Sequence, residues 1–377
     1  MNKKKIVFLT GTRADFGKLK PLINKIEYYE KFDNYVFVTG MHTLSKYGST
    51  YREVQKHNYK NIFVYMNQSH TTAMDIILAN TIIGFSHFIK EIRPDMIIIH
   101  GDRVEALAGA IVGSLNNILV SHIEGGEISG TIDELIRHAI TKLSHIHFVA
   151  NEKAKERLLQ MGEKKDNVYL IGSPDIDIMY SNDLPTINLA KKRYEIPFKN
   201  YSIFIYHPVT TSLGTLKHDI KKVVDAIVNS KLNYIIIYPN NDPGSDIILD
   251  EILPLELYKN VRLFPSIRFE YFLTLLKNAD FIIGNSSVGV RASEIYRIPA
   301  INIGNRQKNR SDSMNIINVK NKMSDILNAI KETKHKKITS ISHFGDGKSA
   351  KNFYRIISND KIWKTEIQKQ FLDIPLI

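Results

Sequence analysis

The chain has 377 residues, a formal net charge of +12 and no cysteine. That length accommodates two domains of ordinary size, each with its own core, and the lack of cysteine excludes a disulfide framework, a thiolate nucleophile and Cys-ligated zinc or iron–sulfur centres. The lysines are spread over helix-like stretches such as "AKKRYE" and "IKKVV", mixed with acids and apolar residues; this reads as a solvated surface or as attraction for an anionic small molecule, and no nucleic-acid-binding pattern accompanies it.

The N-terminus, "MNKKKIVFLTGTRADFG", starts basic, but its apolar run of about five residues is too short for a signal peptide. No segment approaches the roughly 18 uninterrupted apolar residues of a membrane span. A soluble cytoplasmic protein without membrane contact is expected. Seven strands are predicted at "KIVFLT", "NYVFVTG", "NIFVYM", "DMIIIHG", "ILVSHIE", "IHFVA" and "VYLIGS". Five more follow at "SIFIYHP", "YIIIYPN", "VRLFPS", "DFIIGN" and "AINIGN". Short apolar runs bounded by Gly, Pro, Asn or Asp suit strands buried on both faces of a parallel sheet. Helix-length patterns such as "TTAMDIILANTIIGFSHFIKEI" lie between them, and that alternation implies doubly wound sheets. The break falls around residues 173–200. The expected division is a Rossmann-like domain over 1–177, a second over 178–355, and a C-terminal helix over 356–377 packing back onto the first. A ligand is then expected in the interdomain cleft, facing the C-terminal ends of both sheets.

Polar groups cluster at the strand exits. "TGTRADFGKLKP" places Arg13 and Lys18 at the first strand–helix turn, where backbone amides and a helix N-terminus suit a phosphate; an ordinary Gly turn is the plain alternative. "HGDRVEALAGA" offers Asp102 either as a helix N-cap with Glu105 behind it or as a carboxylate facing a ligand. "HIEGGEISGTIDELIRH" follows a buried strand. In it Asp133 or Thr131 is a possible N-cap, whereas Glu124, between His-Ile and two glycines, has no helix to cap. His207 ends the first strand of the second half, and Ser286 and Ser287 in "GNSS" open a helix with unpaired amides. The His-Glu-x-x-His metal-ligand pattern is absent, as is a GxGxxG after the first strand, so neither a metal nor a nicotinamide cofactor is expected.

The motifs "GTRADFGKLKPL", "VTGMH", "HGDR-EALA", "HIEGGEISGT", "IRH-I-KLSHIH", "GSPDID", "HPVTT", "YPNND", "FPSIRFEYF-LLK" and "GNSS-GVR" run in order across nearly the whole chain. Together they resemble the hydrolysing UDP-N-acetylglucosamine 2-epimerases of bacterial sialic-acid synthesis. The resemblance implies a GT-B-like pair of Rossmann-like domains, a homodimer or homotetramer, no cofactor, and conversion of UDP-N-acetylglucosamine and water into UDP and N-acetylmannosamine through a 2-acetamidoglucal. By motif position, Asp102, Glu124, Asp133 and His207 match the family's catalytic or essential residues. Arg13, Lys18, Phe272, Ser286 and Ser287 match its nucleotide-binding ones, with Phe272 near the uracil, and Asn241 of "YPNND" joins them as a UDP-sugar contact. One departure stands out: relatives carry a ribose-binding Glu where this chain has Ala292, and Glu294, two residues on, lies roughly 200° around the helix. Competing readings are a hydrolysing epimerase for the UDP-linked 2,4-diacetamido-trideoxy sugar of legionaminic-acid synthesis, a non-hydrolysing epimerase, a GT-B glycosyltransferase and a non-catalytic nucleotide-sugar sensor.

Overall fold

Ile6, Val7, Phe8, Ile97, Ile98 and Ile99 are all fully buried. Consecutive residues on a strand point to opposite faces, so these runs need cover on both sides, which a parallel sheet wrapped by helices supplies. A computed structural model describes residues 3–129, 131–307, 315–333 and 344–374 and shows that arrangement twice. The first sheet contains β1 (Lys4–Thr10), β2 (Phe32–Val38), β3 (Ile62–Val64), β4 (Met96–His100), β5 (Leu119–Ile123), β6 (Ile146–Val149) and β7 (Val168–Leu170). Its order is β3-β2-β1-β4-β5-β6-β7, parallel throughout, with Ile6 opposite Met96 and Phe8 opposite Ile98. The second contains β8 (Ser202–Ile205), β9 (Tyr234–Ile237), β10 (Val261–Phe264), β11 (Ile282–Gly284), β12 (Ala300–Ile303) and β13 (Ile316–Val319), in the parallel order β10-β9-β8-β11-β12-β13.

In both sheets the chain winds outward, returns to the middle and winds the other way. The reversals lie between β1 and β4 and between β8 and β11. In open α/β sheets, loops at such a switch point diverge and leave a crevice beyond the strands' carboxyl ends, the usual place for a ligand.

Two expectations need correction. The second sheet has a sixth strand, β13. Only four residues long, "IINV" is too short for periodicity to separate it from a loop. The C-terminal segment is not one long helix: the helix Ser349–Ile357 ends early, a single 3-10 turn follows at Ile362–Lys364, and residues 365–374 have no regular structure. The chain divides into one compact unit made of Met1–Glu127, Asp133–Tyr180 and His343–Ile377, and a second made of Ile128–Ile132 and Ser181–Ser342. The return to the first unit thus begins near 343, ahead of the expected boundary at 355. It carries Phe353, Ile357 and Ile362 into the core that holds Ile6, Phe8 and Phe148, and the Phe353 and Phe148 rings meet edge to face at 5.0 Å. No described helix is long and apolar enough to cross a membrane.

Asp177 fastens this return. Its carboxylate accepts from the Ser349 and Ala350 amides at 2.9 and 2.8 Å and from the Ser349 hydroxyl at 2.8 Å. The helix Ser349–Ile357 has no side-chain cap of its own, so a residue 172 positions away fills that role. Asp177→Ala is expected to destabilise the protein by about 2 kcal/mol, the scale of hydrogen bonds to a charged group, and chemical denaturation of the variant checks this.

Candidate active site

At the first switch point, β1 runs into the turn Gly11–Thr12 and the helix Arg13–Tyr29. Thr12 and Asp15 form a capping box: the Thr12 hydroxyl accepts from the Asp15 amide at 3.1 Å, and the Asp15 carboxylate accepts from the Gly11 and Thr12 amides at 2.9 and 3.0 Å. Those amides are therefore held by an internal carboxylate. Arg13 forks onto both carboxylate oxygens of Glu53, with Nε 2.8 Å from Oε2. Lys18, a turn further along the helix, donates to Glu124 Oε2 at 2.7 Å.

Glu124 sits just past the end of β5 with a φ of +71°. A non-glycine side chain in the left-handed region is uncommon and strained by about 1 kcal/mol or more, and it persists where its surroundings over-determine it. Here the Glu124 amide donates to the Phe148 carbonyl at 3.1 Å, and His100 Nε2 meets the Lys18-bound oxygen at 2.8 Å. The side chain is almost fully buried. Gly126 has a φ of +76° and packs so close that a Cβ would lie 2.2 Å from the Ala154 carbonyl oxygen. The "EGGE" turn is thus built to bring one carboxylate to the crevice between β1 and β4.

Asp102 lies just past the end of β4. The helix after β4 begins at Val104 with Arg103 at its N-cap position and no side-chain cap, so the capping reading of Asp102 fails. Its carboxylate instead accepts from Arg137 Nη2. Arg137, on the helix Ile132–Leu143, is fully buried, and its Nη1 donates to the Glu127 carbonyl at 3.0 Å. Burial alone would lower the guanidinium pKa, but Asp102, Glu127, Glu124 and Asp133 outweigh that and raise it. One buried cation thereby serves a group of acids. Asp133 falls inside the first turn of this helix, which starts at Ile132, so it is not the N-cap.

His122 ties the loop of Asp102 to the helix that carries Arg137. Its Nε2–H donates to the Gly101 carbonyl at 2.8 Å and its Nδ1 faces the Thr141 hydroxyl at 3.2 Å. A carbonyl only accepts, so this fixes the tautomer. Burial pushes the His122 pKa down to about 3, and burial likewise pushes His42 down to about 4. Below the unfolded value near 6.5, the unfolded chain takes up protons that the folded one refuses. Stability is therefore full above pH 6.5 and falls on acidification by about 1.4 kcal/mol per pH unit for each imidazole until the folded pKa is reached. Glu163 adds to this below pH 4.5: burial opposes its ionisation, yet bonding to His147 and attraction to Lys369 hold its pKa at about 2. Urea midpoints that drop steadily between pH 6.5 and 4.5 are expected.

The second switch point is organised around His207. Asn285, just after β11, clamps it: the His207 amide donates to Asn285 Oδ1 at 2.7 Å, and Asn285 Nδ2 donates to the His207 carbonyl at 2.8 Å. The Asn240 amide donates to His207 Nδ1 at 3.1 Å, so in the neutral ring the proton is on Nε2. Gly284 permits this approach; with a φ of +136°, any Cβ there would fall 1.8 Å from the Ile205 carbonyl oxygen. Ser286 precedes the helix Ser287–Ile295 without capping it through its side chain. Asn241 is half-buried in the loop after β9, and Phe272 is buried on the helix Phe269–Lys277. Ala292 and Glu294 are both buried. Among the described residues no group of three or more His, Asp or Glu side chains is arranged to hold a metal ion.

The sequence model of the family described as UDP-N-acetylglucosamine 2-epimerase matches residues 24–358. A UDP-N-acetylglucosamine 2-epimerase of Neisseria meningitidis serogroup B is 46% identical over 99% of this chain and 100% of its own length. The chain belongs to the UDP-N-acetylglucosamine 2-epimerase family. A UDP-N,N'-diacetylbacillosamine 2-epimerase (hydrolyzing) of Legionella pneumophila is 34% identical over 94% of this chain and 95% of its own. The crystal structure of Methanocaldococcus jannaschii UDP-GlcNAc 2-epimerase in complex with UDP-GlcNAc and UDP superposes with a TM-score of 0.79 at 22% identity, covering 94% of this chain and 99% of that one. The fold of this epimerase-family chain is accordingly the expected GT-B-like pair of doubly wound α/β domains.

On the first unit of this epimerase-family member, the sequence-derived candidates Lys18, Asp102, Glu124 and Asp133 gather at one switch point. Arg13 is in the same turn but directed to Glu53. On the second unit, His207, Ser286 and Ser287 lie at or beside the other switch point, with Asn241 after the neighbouring strand β9. His100 and Arg137 went unmarked among the candidates. His100 had a signal, its place beside Asp102 at a strand exit. Arg137 had none, because a lone Arg in an amphipathic helix pattern reads as surface.

Proposed function

We propose that the chain is a hydrolysing 2-epimerase that converts UDP-N-acetylglucosamine and water into N-acetylmannosamine and UDP, supplying sialic-acid synthesis. The observation that carries this is Glu124: a carboxylate held in a strained backbone conformation, with Lys18 and His100 on one oxygen, in a charge cluster shared through Arg137 with Asp102. The proposed reaction removes the proton from C2 while the C1–O bond breaks and its electron pair leaves with UDP. This gives the 2-acetamidoglucal. Water then adds its oxygen to C1, and a proton returns to C2 from the opposite face. Opposite-face transfers need at least two proton carriers. Asp102, Glu124 and Asp133 are the acids assigned to this work, with His207 as a further carrier. The uridine and phosphates are assigned to Phe272, Asn241, Ser286 and Ser287, where the unsatisfied amides of a helix N-terminus favour an anion, with positive charge from Arg13 and Lys18. A homodimer or homotetramer in the cytoplasm is part of the same reading.

Running the reaction in D₂O tests it. NMR of the product should show N-acetylmannosamine deuterated at C2, together with stoichiometric UDP. A product that keeps its sugar–UDP bond would instead make the enzyme non-hydrolysing. The Legionella relative favours one second reading, the same chemistry on a UDP-2,4-diacetamido-trideoxyglucose. Faster UDP release from that sugar than from UDP-N-acetylglucosamine would move the assignment to it.

A further inference from the structure

Residues 365–374, beyond the Ile362–Lys364 turn, have no regular structure, yet one of their side chains is bound tightly. Lys369 Nζ donates to the carbonyls of Thr141, Lys142 and Ser144 at 3.0, 3.1 and 2.7 Å and pairs with Glu163 Oε2 at 2.6 Å. Those carbonyls are the last of the helix Ile132–Leu143 and its exit, the negative end of that helix's dipole, where an ammonium stabilises orphan acceptors. A second tie lies beside it: His145 Nε2 donates to the Ile367 carbonyl at 2.9 Å.

The fastened helix bears Asp133 and Arg137. Thr141 faces two ways: its carbonyl takes the Lys369 ammonium, and its hydroxyl meets His122 Nδ1 at 3.2 Å. His122 in turn donates to the carbonyl of Gly101, next to Asp102, which Arg137 holds. Hydrogen bonds through Thr141 and His122 thus run from Lys369 to the Gly101 carbonyl, one residue from Asp102, whose carboxylate is held by Arg137 on the fastened helix. Glu163, which receives Lys369, also accepts from His147 Nε2 at 2.9 Å, and His147 pairs with His122 across β5 and β6.

We propose that Lys369 is a positioning residue: by clamping the C-terminal end of the Ile132–Leu143 helix it sets the place of Arg137 and, through Thr141 and His122, of Asp102. The inference rests on the proposed epimerase reading for its kinetic consequence, though not for its structural one. Lys369→Met should lower kcat about tenfold, the scale on which sub-ångström misplacement of a reacting group acts, with KM for UDP-N-acetylglucosamine changed by less than about twofold. Lys369→Arg, which keeps a cation with several donors, should recover most of the loss, whereas Lys364→Met on the same segment should change nothing. Imidazole NMR of ¹⁵N-histidine-labelled full-length protein gives a readout that needs no substrate: Lys369→Met should move the His122 signals and Lys364→Met should not. If Lys369→Met does not fold, Lys369→Gln, which keeps a donor without the charge, takes its place. Unmoved His122 signals, or an activity loss that tracks only the unfolded fraction, overturn the proposal. A wild-type protein inert toward UDP-N-acetylglucosamine would overturn the epimerase reading instead, and the histidine spectra would still decide the role of Lys369.

Discussion

Glu124→Gln is expected to lower kcat by about 10³-fold or more, within the range attributed to a positioned proton-transfer group, while leaving UDP affinity within about threefold of the wild type. The amide is nearly isosteric and preserves burial, but it cannot take a proton from carbon. It also replaces one acceptor oxygen by a donor, which at the Oε2 position would face both Lys18 and His100. Steady-state UDP release and calorimetric UDP binding check the two halves of this statement. Glu124→Gly separates chemistry from strain. A φ of +71° suits glycine without penalty, so this variant should be equally inactive, while relief of the backbone strain offsets part of the stability lost with the carboxylate, on the order of 1 kcal/mol. A Glu124→Gln protein that retains near-normal turnover would remove Glu124 from the mechanism.

Arg137→Met should be the most damaging single change to stability. The guanidinium is fully buried, bound to Asp102 and to the Glu127 carbonyl, and close enough to Glu124 and Asp133 for their charges to raise its pKa. Removing the cation leaves several acids facing one another without their counter-charge. Breaking a buried pair from one side costs roughly 3–5 kcal/mol, which for a domain of this size is a Tm loss of about 6–20 °C at roughly 2–4 °C per kcal/mol. Arg137→Lys should recover little, since an ammonium cannot reach Asp102 and the Glu127 carbonyl with the fixed fork that both require. Calorimetry of the two variants decides the matter; a Met variant that melts within a degree or two of the wild type would show that the acids do not depend on Arg137.

The strands were the legible part of the fold. Runs such as "MIII" and "YIII" are apolar throughout because they are covered on both faces, and all twelve predicted strands occur. β13 escaped because four residues carry no periodicity, and the C-terminal segment read as helical because charged and apolar residues alternate there for another reason: Ile362 enters the core while Lys369 reaches back to a helix end. The site divides in the same way. Residues at strand exits were visible as candidates, since topology alone places them at the switch points. Their pairings were not. Lys18 and Glu124 are 106 positions apart and Asp102 and Arg137 are 35 apart, and no local pattern encodes such a meeting. The Glu53 that holds Arg13 sits in a five-residue helix, Tyr51–Gln55, with nothing around it to suggest a counter-ion.

The return of the last segment to the first unit has a consequence for biosynthesis. Phe353, Ile357 and Ile362 are integral to the same core as Ile6 and Phe8, yet they leave the ribosome only after every strand of both sheets has been made. The core of the first unit therefore stays incomplete, with apolar surface uncovered, until that later segment has been made, the reverse of the N-terminal-first order open to chains whose domains are contiguous. Loss of the segment that bears Phe353, Ile357 and Ile362 would thus cripple the part of the protein synthesised first.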